Sequence, residues 1–167
     1  ALYCVDVTDA DGSIWKLPVG GSFAPWARTG GHPNGSRFGP DGDLFVADCG
    51  RNAILRIALA GGAISVLADA WEGQSFRGPN DLCFGPDGRL YFTDPANPRP
   101  PLTYPCHVAV LDLETMQAEI LHTGFQYTPV DSIAAMDTCC SASQSPSSSN
   151  AAVVVAKVRV HCRTEPS

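Results

Sequence analysis

Several kinds of residue are scarce in this 167-residue chain, and each shortage closes off a class of protein. Eleven Lys and Arg face seventeen Asp and Glu, for a net charge of −6, and the basic residues stand singly. A nucleic-acid partner is therefore not expected, because neutralising phosphates takes a basic stripe or patch. No apolar run approaches the roughly 18 residues of a membrane helix, so no membrane partner is expected either. The compartment stays open, with no signal peptide in view. No G-x-S-x-G, P-loop or dinucleotide fingerprint occurs, which leaves out the serine-elbow hydrolases and the common nucleotide chemistries. Seven cysteines show no C-x-x-C and no zinc-finger spacing, and the odd number leaves at least one outside any internal pair. Cys4 and Cys83 fall inside strand-like runs and are read as buried free thiols. His32, His107, His122 and His161 have no metal spacing and are read as non-ligands.

What the chain does have is glycine (16), proline (14) and a repeat. With charged residues at only 17%, that composition suits a turn-rich all-β protein. Residues 32–48 read His-Pro-Asn-Gly-Ser-Arg-Phe-Gly-Pro-Asp-Gly-Asp-Leu-Phe-Val-Ala-Asp. Residues 78–94 read Gly-Pro-Asn-Asp-Leu-Cys-Phe-Gly-Pro-Asp-Gly-Arg-Leu-Tyr-Phe-Thr-Asp, and Asn34 and Asn80 are 46 positions apart. A weaker copy opens the chain, with Leu2-Tyr3-Cys4-Val5-Asp6 standing 42 positions before Leu44-Phe45-Val46-Ala47-Asp48. Strand-like units repeating at about 40 to 50 residues mark the blades of a β-propeller. A closed ring takes about four to eight blades, so the chain is expected to form a partial propeller of two to three blades, continuing a longer sequence upstream of Ala1.

Each unit has the same internal order. Phe-Gly-Pro-Asp-Gly is a hairpin turn: Pro presets φ, Asp bonds its own backbone, and Gly takes positive φ. It is followed by strands at 44–48, 53–57 and 63–67 in one unit, and at 90–94, 107–112 and 117–121 in the next. In the opening unit, 14–17 and 23–27 are the third and fourth strands. The proline-rich stretch 95–105 is expected to be a long loop. The repeat ends near Tyr127. The Ser-rich stretch 141–150 is low-complexity, and 151–162 is an apolar β-like run without a turn partner. The expected organisation is a propeller unit over 1–128 and an unrelated, disordered tail over 129–167.

Residues 78–95, ending Tyr91-Phe92-Thr93-Asp94-Pro95, resemble the signature of the SMP-30/gluconolactonase (regucalcin-like) family. Ala1-Leu2-Tyr3-Cys4-Val5-Asp6 resembles that family's first blade, and Leu121-His122-Thr123-Gly124-Phe125-Gln126-Tyr127 the lead-in to a later one. The resemblance implies a six-bladed propeller with a divalent metal, Ca2+ or Zn2+, at the central channel, and a small-molecule sugar-lactone substrate. Of the family's four metal ligands (an early Glu, the Asn of an Asn-Asp pair, a later Asn and a later Asp), only one maps here, onto Asn80. Thr128-Pro129-Val130-Asp131 stands where the later Asn would be sought. An amide oxygen suits a hard cation without adding charge. Asp81 beside it is the candidate catalytic residue, as a base or by orienting Asn80. Asn34, the repeat equivalent of Asn80, and Arg77 are candidate substrate contacts. Some family members carry an Arg two residues before the Asn, where this chain has Gly78.

The competing reading of Asn80 and Asp81 is that they are turn and strand-start residues. Asp6, Asp48 and Asp94 end equivalent strands, and their repetition points to a structural hydrogen bond. By the resemblance the parent activity is metal-assisted lactone hydrolysis, with this chain inactive alone for want of ligands. The alternatives are a non-catalytic propeller serving as a binding scaffold, and a truncated product with unprotected sheet edges and no stable fold.

Overall fold

In the computed structural model the described residues are 1–7, 10–95 and 106–125. The expectations for the 95–105 loop and for the tail therefore fall almost wholly outside them. The described residues contain thirteen β-strands, no helix, and so no helix long and apolar enough to cross a membrane. β1 (Leu2–Val5), β2 (Ser13–Leu17) and β3 (Ala24–Arg28) form one antiparallel sheet. A second contains β4 (Pro33–Phe38), β5 (Leu44–Asp48), β6 (Ala53–Ile57) and β7 (Ile64–Ala68), in chain order. A small hairpin, β8 (Ala70–Trp71) and β9 (Gln74–Ser75), leads to a third full sheet. That sheet is β10 (Leu82–Phe84), β11 (Leu90–Asp94), β12 (Cys106–Asp112) and β13 (Gln117–Phe125).

The repeat in sequence is a repeat in register. Ser36 pairs with Val46 and Phe38 with Leu44; 46 residues on, Leu82 pairs with Phe92 and Phe84 with Leu90. The two Pro-Asp-Gly turns close with the same bonds. The Gly42 N–H donates to the Gly39 carbonyl and the Gly88 N–H to the Gly85 carbonyl, both at 3.0 Å. Asp41 Oδ1 accepts from the Asp43 N–H and Asp87 Oδ1 from the Arg89 N–H, at 3.1 and 3.2 Å. Gly42 and Gly88 have φ of 86° and 77°, the left-handed region that glycine enters without a Cβ clash.

Two apolar cores lie between consecutive sheets. Ile14 and Ala27 of the first sheet pack with Leu44, Val46, Ala53, Leu55 and Ile57 of the second. Phe45, Ala47 and Ile54, on the opposite face of that second sheet, pack with Leu82, Leu90, Phe92, Ala109 and Leu111 of the third. The middle sheet is thus buried on both faces, which is why β5 and β6 read as nearly continuous apolar runs rather than alternating ones. Each fully buried aliphatic side chain contributes about 1.5–3 kcal/mol. An aromatic contact recurs along the stack: Tyr3 meets Phe38 at 5.2 Å and Phe45 meets Phe84 at 5.0 Å, both edge to face.

The β8–β9 hairpin is absent from the sequence expectations. Its two-residue turn is Glu72-Gly73, with φ of 44° and 77°. That is the mirror-image geometry favoured in tight hairpins, usually by Asn-Gly, and Glu in the first place hides the signal.

Candidate functional site

The site candidates lie at the ends of the sheets opposite the Pro-Asp-Gly turns. At the start of β4 the pairing to β5 slips: Pro33 faces Asp48 and Ser36 faces Val46, so Asn34 and Gly35 together oppose Ala47. This bulge re-aims the local backbone. The Gly35 N–H donates to the Asn80 carbonyl at 2.7 Å, across to the next sheet. Asn80 and Asp81 are held in turn by β11. The Asn80 N–H donates to the Thr93 carbonyl (2.9 Å), the Thr93 N–H to the Asp81 carbonyl (3.0 Å), and the Asp81 N–H to Thr93 Oγ1 (3.2 Å). The structure therefore brings Asn34, Gly35, Asn80 and Asp81 into one backbone-linked group.

A Cβ on Gly35 would collide with Asp81 Oδ1 and its Cα. The repeat position that is Asp in one copy must be Gly in the preceding copy, because two inner strands approach there. The same comparison finds Thr93 where the earlier repeat has Ala47. Sequence reasoning singled out the Asn-Asp pair and missed Thr93, although the paired divergence of positions 81 and 93 carries the signal.

Asp81 Oδ1 accepts the Leu82 N–H at 2.9 Å. Among the described residues the Asn80 and Asn34 side chains have no hydrogen-bond partner, so their amides are free to meet a ligand. Both are half-buried. The Arg77 N–H donates to both oxygens of Asp94, at 3.0 and 2.9 Å. That clasp sets the path of the chain into Asn80 and leaves the Arg77 residue exposed. Gly78 has φ of 134°, which L side chains rarely adopt. An Arg there is disfavoured by backbone conformation rather than by space, since the added Cβ would meet only the Cys49 Cβ at 3.7 Å.

Two of the three strand-end aspartates, Asp48 and Asp94, hold backbone N–H groups of neighbouring segments. Asp48 is fully buried, and its Oδ1 accepts the N–H groups of His32 (2.8 Å), Gly50 (3.0 Å) and Arg51 (2.9 Å). Asp94 does the equivalent for Arg77. The second oxygen of Asp48 is buried with no hydrogen-bond partner among the described residues, so that carboxylate is enclosed within the fold rather than open to a substrate.

The cysteines described are free thiols. Burial, then the Asp48 charge, pushes the Cys49 thiol up, and burial, then Asp94, does the same to Cys106. Neither is poised as a thiolate nucleophile.

The described residues do not by themselves fit a divalent cation. None of their His, Cys, Asp or Glu side chains form a group of three that could hold one. Asn80 offers one amide oxygen, and Asp81 a carboxylate already engaged on one side.

The model of the family described as SMP-30/Gluconolactonase/LRE-like region matches residues 1–128. A gluconolactonase of Zymomonas mobilis is 45% identical over 89 residues, which cover 52% of this chain and 25% of the relative. Protein strictosidine synthase-like 4 of Arabidopsis thaliana is 36% identical over 69 residues, 41% of this chain and 18% of the relative. The solved gluconolactonase of Xanthomonas campestris superposes with a TM-score of 0.60 at 22% identity, over 72% of this chain and 43% of that one. At that identity the likeness speaks for the fold alone. The chain spans about a quarter or less of the length of these curated relatives.

Proposed function

This chain belongs to the SMP-30/gluconolactonase/LRE-like family, and from that membership we propose that it is part of a hydrolase acting on a sugar lactone or similar cyclic ester. The single observation that carries the reading is the 45% identity to a gluconolactonase. The free Asn80 amide beside Asp81 supports it. In this reading residues 1–128 are part of a six-bladed propeller, supplying two four-strand blades and three strands of another, and residues 129–167 are a separate tail.

Asp81 is the general base. Its free carboxylate oxygen takes a proton from a water as that water's oxygen bonds to the lactone carbonyl carbon. The acyl C–O bond of the ring then opens, and the proton passes to the departing ring oxygen. Such a base contributes about 10²–10⁴-fold. Asn34 and Arg77 bind the hydroxyls of the substrate. Asn80 would give one neutral oxygen to a Ca2+ or Zn2+ ion, whose other ligands would have to come from outside the described residues and which would supply Lewis-acid polarisation of the lactone carbonyl.

The test is lactone hydrolysis, followed by acid release, in the polypeptide that carries residues 1–128. Asp81→Asn is expected to lower kcat by about a hundredfold or more, and Asn34→Ala to raise KM. Full activity in Asp81→Asn would overturn the assignment of the base. No hydrolysis of any lactone would overturn the reaction class.

A further inference from the structure

Asn34 and Gly35 form the chain's one Asn-Gly step; its other four asparagines are followed by Ala, Asp, Pro and Ala. Asparagine is a thermolabile residue, and the residue after it governs how fast its amide is lost. The main-chain nitrogen of that residue can bond to the asparagine Cγ, and glycine, having no Cβ, shields its nitrogen least. Packing requires glycine at this place. A Cβ on Gly35 would collide with Asp81 Oδ1 and its Cα. The contact that excludes a side chain at position 35 thus sets beside Asn34 the neighbour that makes its amide most labile.

The same contact holds the reaction back. The Gly35 N–H donates to the Asn80 carbonyl at 2.7 Å, so the attacking nitrogen keeps its proton on the next sheet. The bulge around it is closed on either side, by Pro33 pairing with Asp48 and Ser36 with Val46. The nitrogen reaches Cγ only when this segment opens. The repeat supplies a contrast within the chain. Asn80 is followed by Asp81, which carries a side chain and whose N–H is held by Thr93 Oγ1 at 3.2 Å.

We propose that Asn34-Gly35 is a self-modification site, converting to aspartate or isoaspartate when the Gly35–Asn80 bond opens. The Gly35 nitrogen bonds to Asn34 Cγ, the Cγ–Nδ2 bond breaks, and the proton lost from Gly35 leaves on the amide nitrogen as ammonia. Water then opens the cyclic imide. Attack at Cγ gives aspartate, and attack at the main-chain carbonyl gives isoaspartate, in which the chain runs on through Cβ. Water is the one co-reactant. Either product puts a carboxylate where the group containing Asn80 and Asp81 had a neutral amide, and isoaspartate also lengthens the strand between its two pairs. The inference stands on backbone geometry and not on the lactonase reading, so either can fail alone.

The test follows conversion at each asparagine by peptide mapping, from the small mass gain of an acid over an amide. The 167-residue chain is held in mildly alkaline buffer beside a synthetic peptide copying residues 32–38, which has the same Asn-Gly step and no adjoining sheet. The folded chain is expected to convert at Asn34 roughly tenfold or more slowly than the peptide, yet sooner than at Asn80. Graded urea below the unfolding transition is expected to speed conversion in step with hydrogen exchange at the Gly35 amide, because one opening admits both. The proposal is overturned if the folded chain converts as fast as the peptide, or if Asn80 converts first. It is also overturned if Gly35 exchange rises with urea while conversion stays level, or if Asn34 survives in fully unfolding urea.

Discussion

Gly35 and Asp81 hold the same position in two successive repeats, and the side chain of one excludes a side chain on the other. The space that a Gly35 Cβ would need is filled by the Asp81 carboxylate and Cα, and the Gly35 N–H is bonded to the residue just before Asp81. The contact joins the inner strands of adjacent sheets at the candidate site.

Gly35→Ala is therefore expected to destabilise the fold by about 1–3 kcal/mol, the range for overpacking. Asp81→Gly in the same chain should recover part of that loss, because the two residues are in contact and their effects do not add. Urea denaturation of the two single variants and the double variant measures the coupling. Strict additivity would mean that the strands part instead of clashing.

Asp48→Ala removes one buried acceptor from three N–H groups. The three bonds are part-buried, and water can reach some of the freed N–H groups, so a loss of roughly 1–2 kcal/mol is expected. Asp11→Ala serves as the control, since Asp11 is exposed and its ion pair with Arg28 is solvated on both sides. Exposed pairs of that kind contribute about 0–1 kcal/mol. Equal melting temperatures for the two variants would contradict the buried role of Asp48.

Acid stability follows from three carboxylates at the turn ends of the sheets. Backbone donation from Leu59, then Arg56, holds Asp43 below the usual carboxylate range. Arg89 does the same for Asp87, and the Thr115 and Glu114 N–H groups for Asp112. A carboxylate lowered in the folded state adds stability above its unfolded pKa and loses it as pH falls through the folded value. The melting temperature should stay level from neutral pH to about 5 and decline below about 4. These groups are solvent-screened, so the decline is shallow for each. Asp112→Asn should flatten it, and an unchanged acid limb in that variant would remove Asp112 from the account.

Thiol reactivity should separate the cysteines. Cys106 is buried, and its Sγ donates to the Pro95 carbonyl at 3.0 Å, while Cys4 and Cys49 are only half-buried. Among Cys4, Cys49, Cys83 and Cys106, a chromogenic disulfide reagent at pH 7 is expected to modify Cys4 first and Cys106 only on unfolding. Fast native-state labelling of Cys106 would show that its cover opens.

Metal addition tests Asn80 independently of turnover. A cation that binds only the folded chain must raise its melting temperature. If Asn80 supplies an oxygen, millimolar Ca2+ or Zn2+ raises the melting temperature of the chain and does so less in Asn80→Ala. An equal rise in both would place any bound cation elsewhere.

Most of the strand plan was legible because its causes are local. The Phe-Gly-Pro-Asp-Gly turns, the β-rich runs after them and the fourth strands all follow from turn chemistry and side-chain preference within a few residues. The opening unit was readable for the same reason, with strands expected at 14–17 and 23–27 and found as β2 and β3. Asn80 and Asp81 were legible as a departure from a repeat. Their neighbours were less so. Thr93 looked like one more β-branched strand residue, and its bond to the Asp81 N–H depends on how two strands lie together.

The sequence by itself determined a turn-rich all-β repeat with a spacing of 46 residues, its Pro-Asp-Gly turns, and aspartates repeated at strand ends, since glycine, proline and short-range hydrogen bonding set these before any packing. Tertiary structure alone decided that Gly35 must yield to Asp81 and that Asp48 ties three N–H groups together. Those outcomes depend on space and partners shared between segments far apart in the chain, and close packing settles them only when the sheets stack.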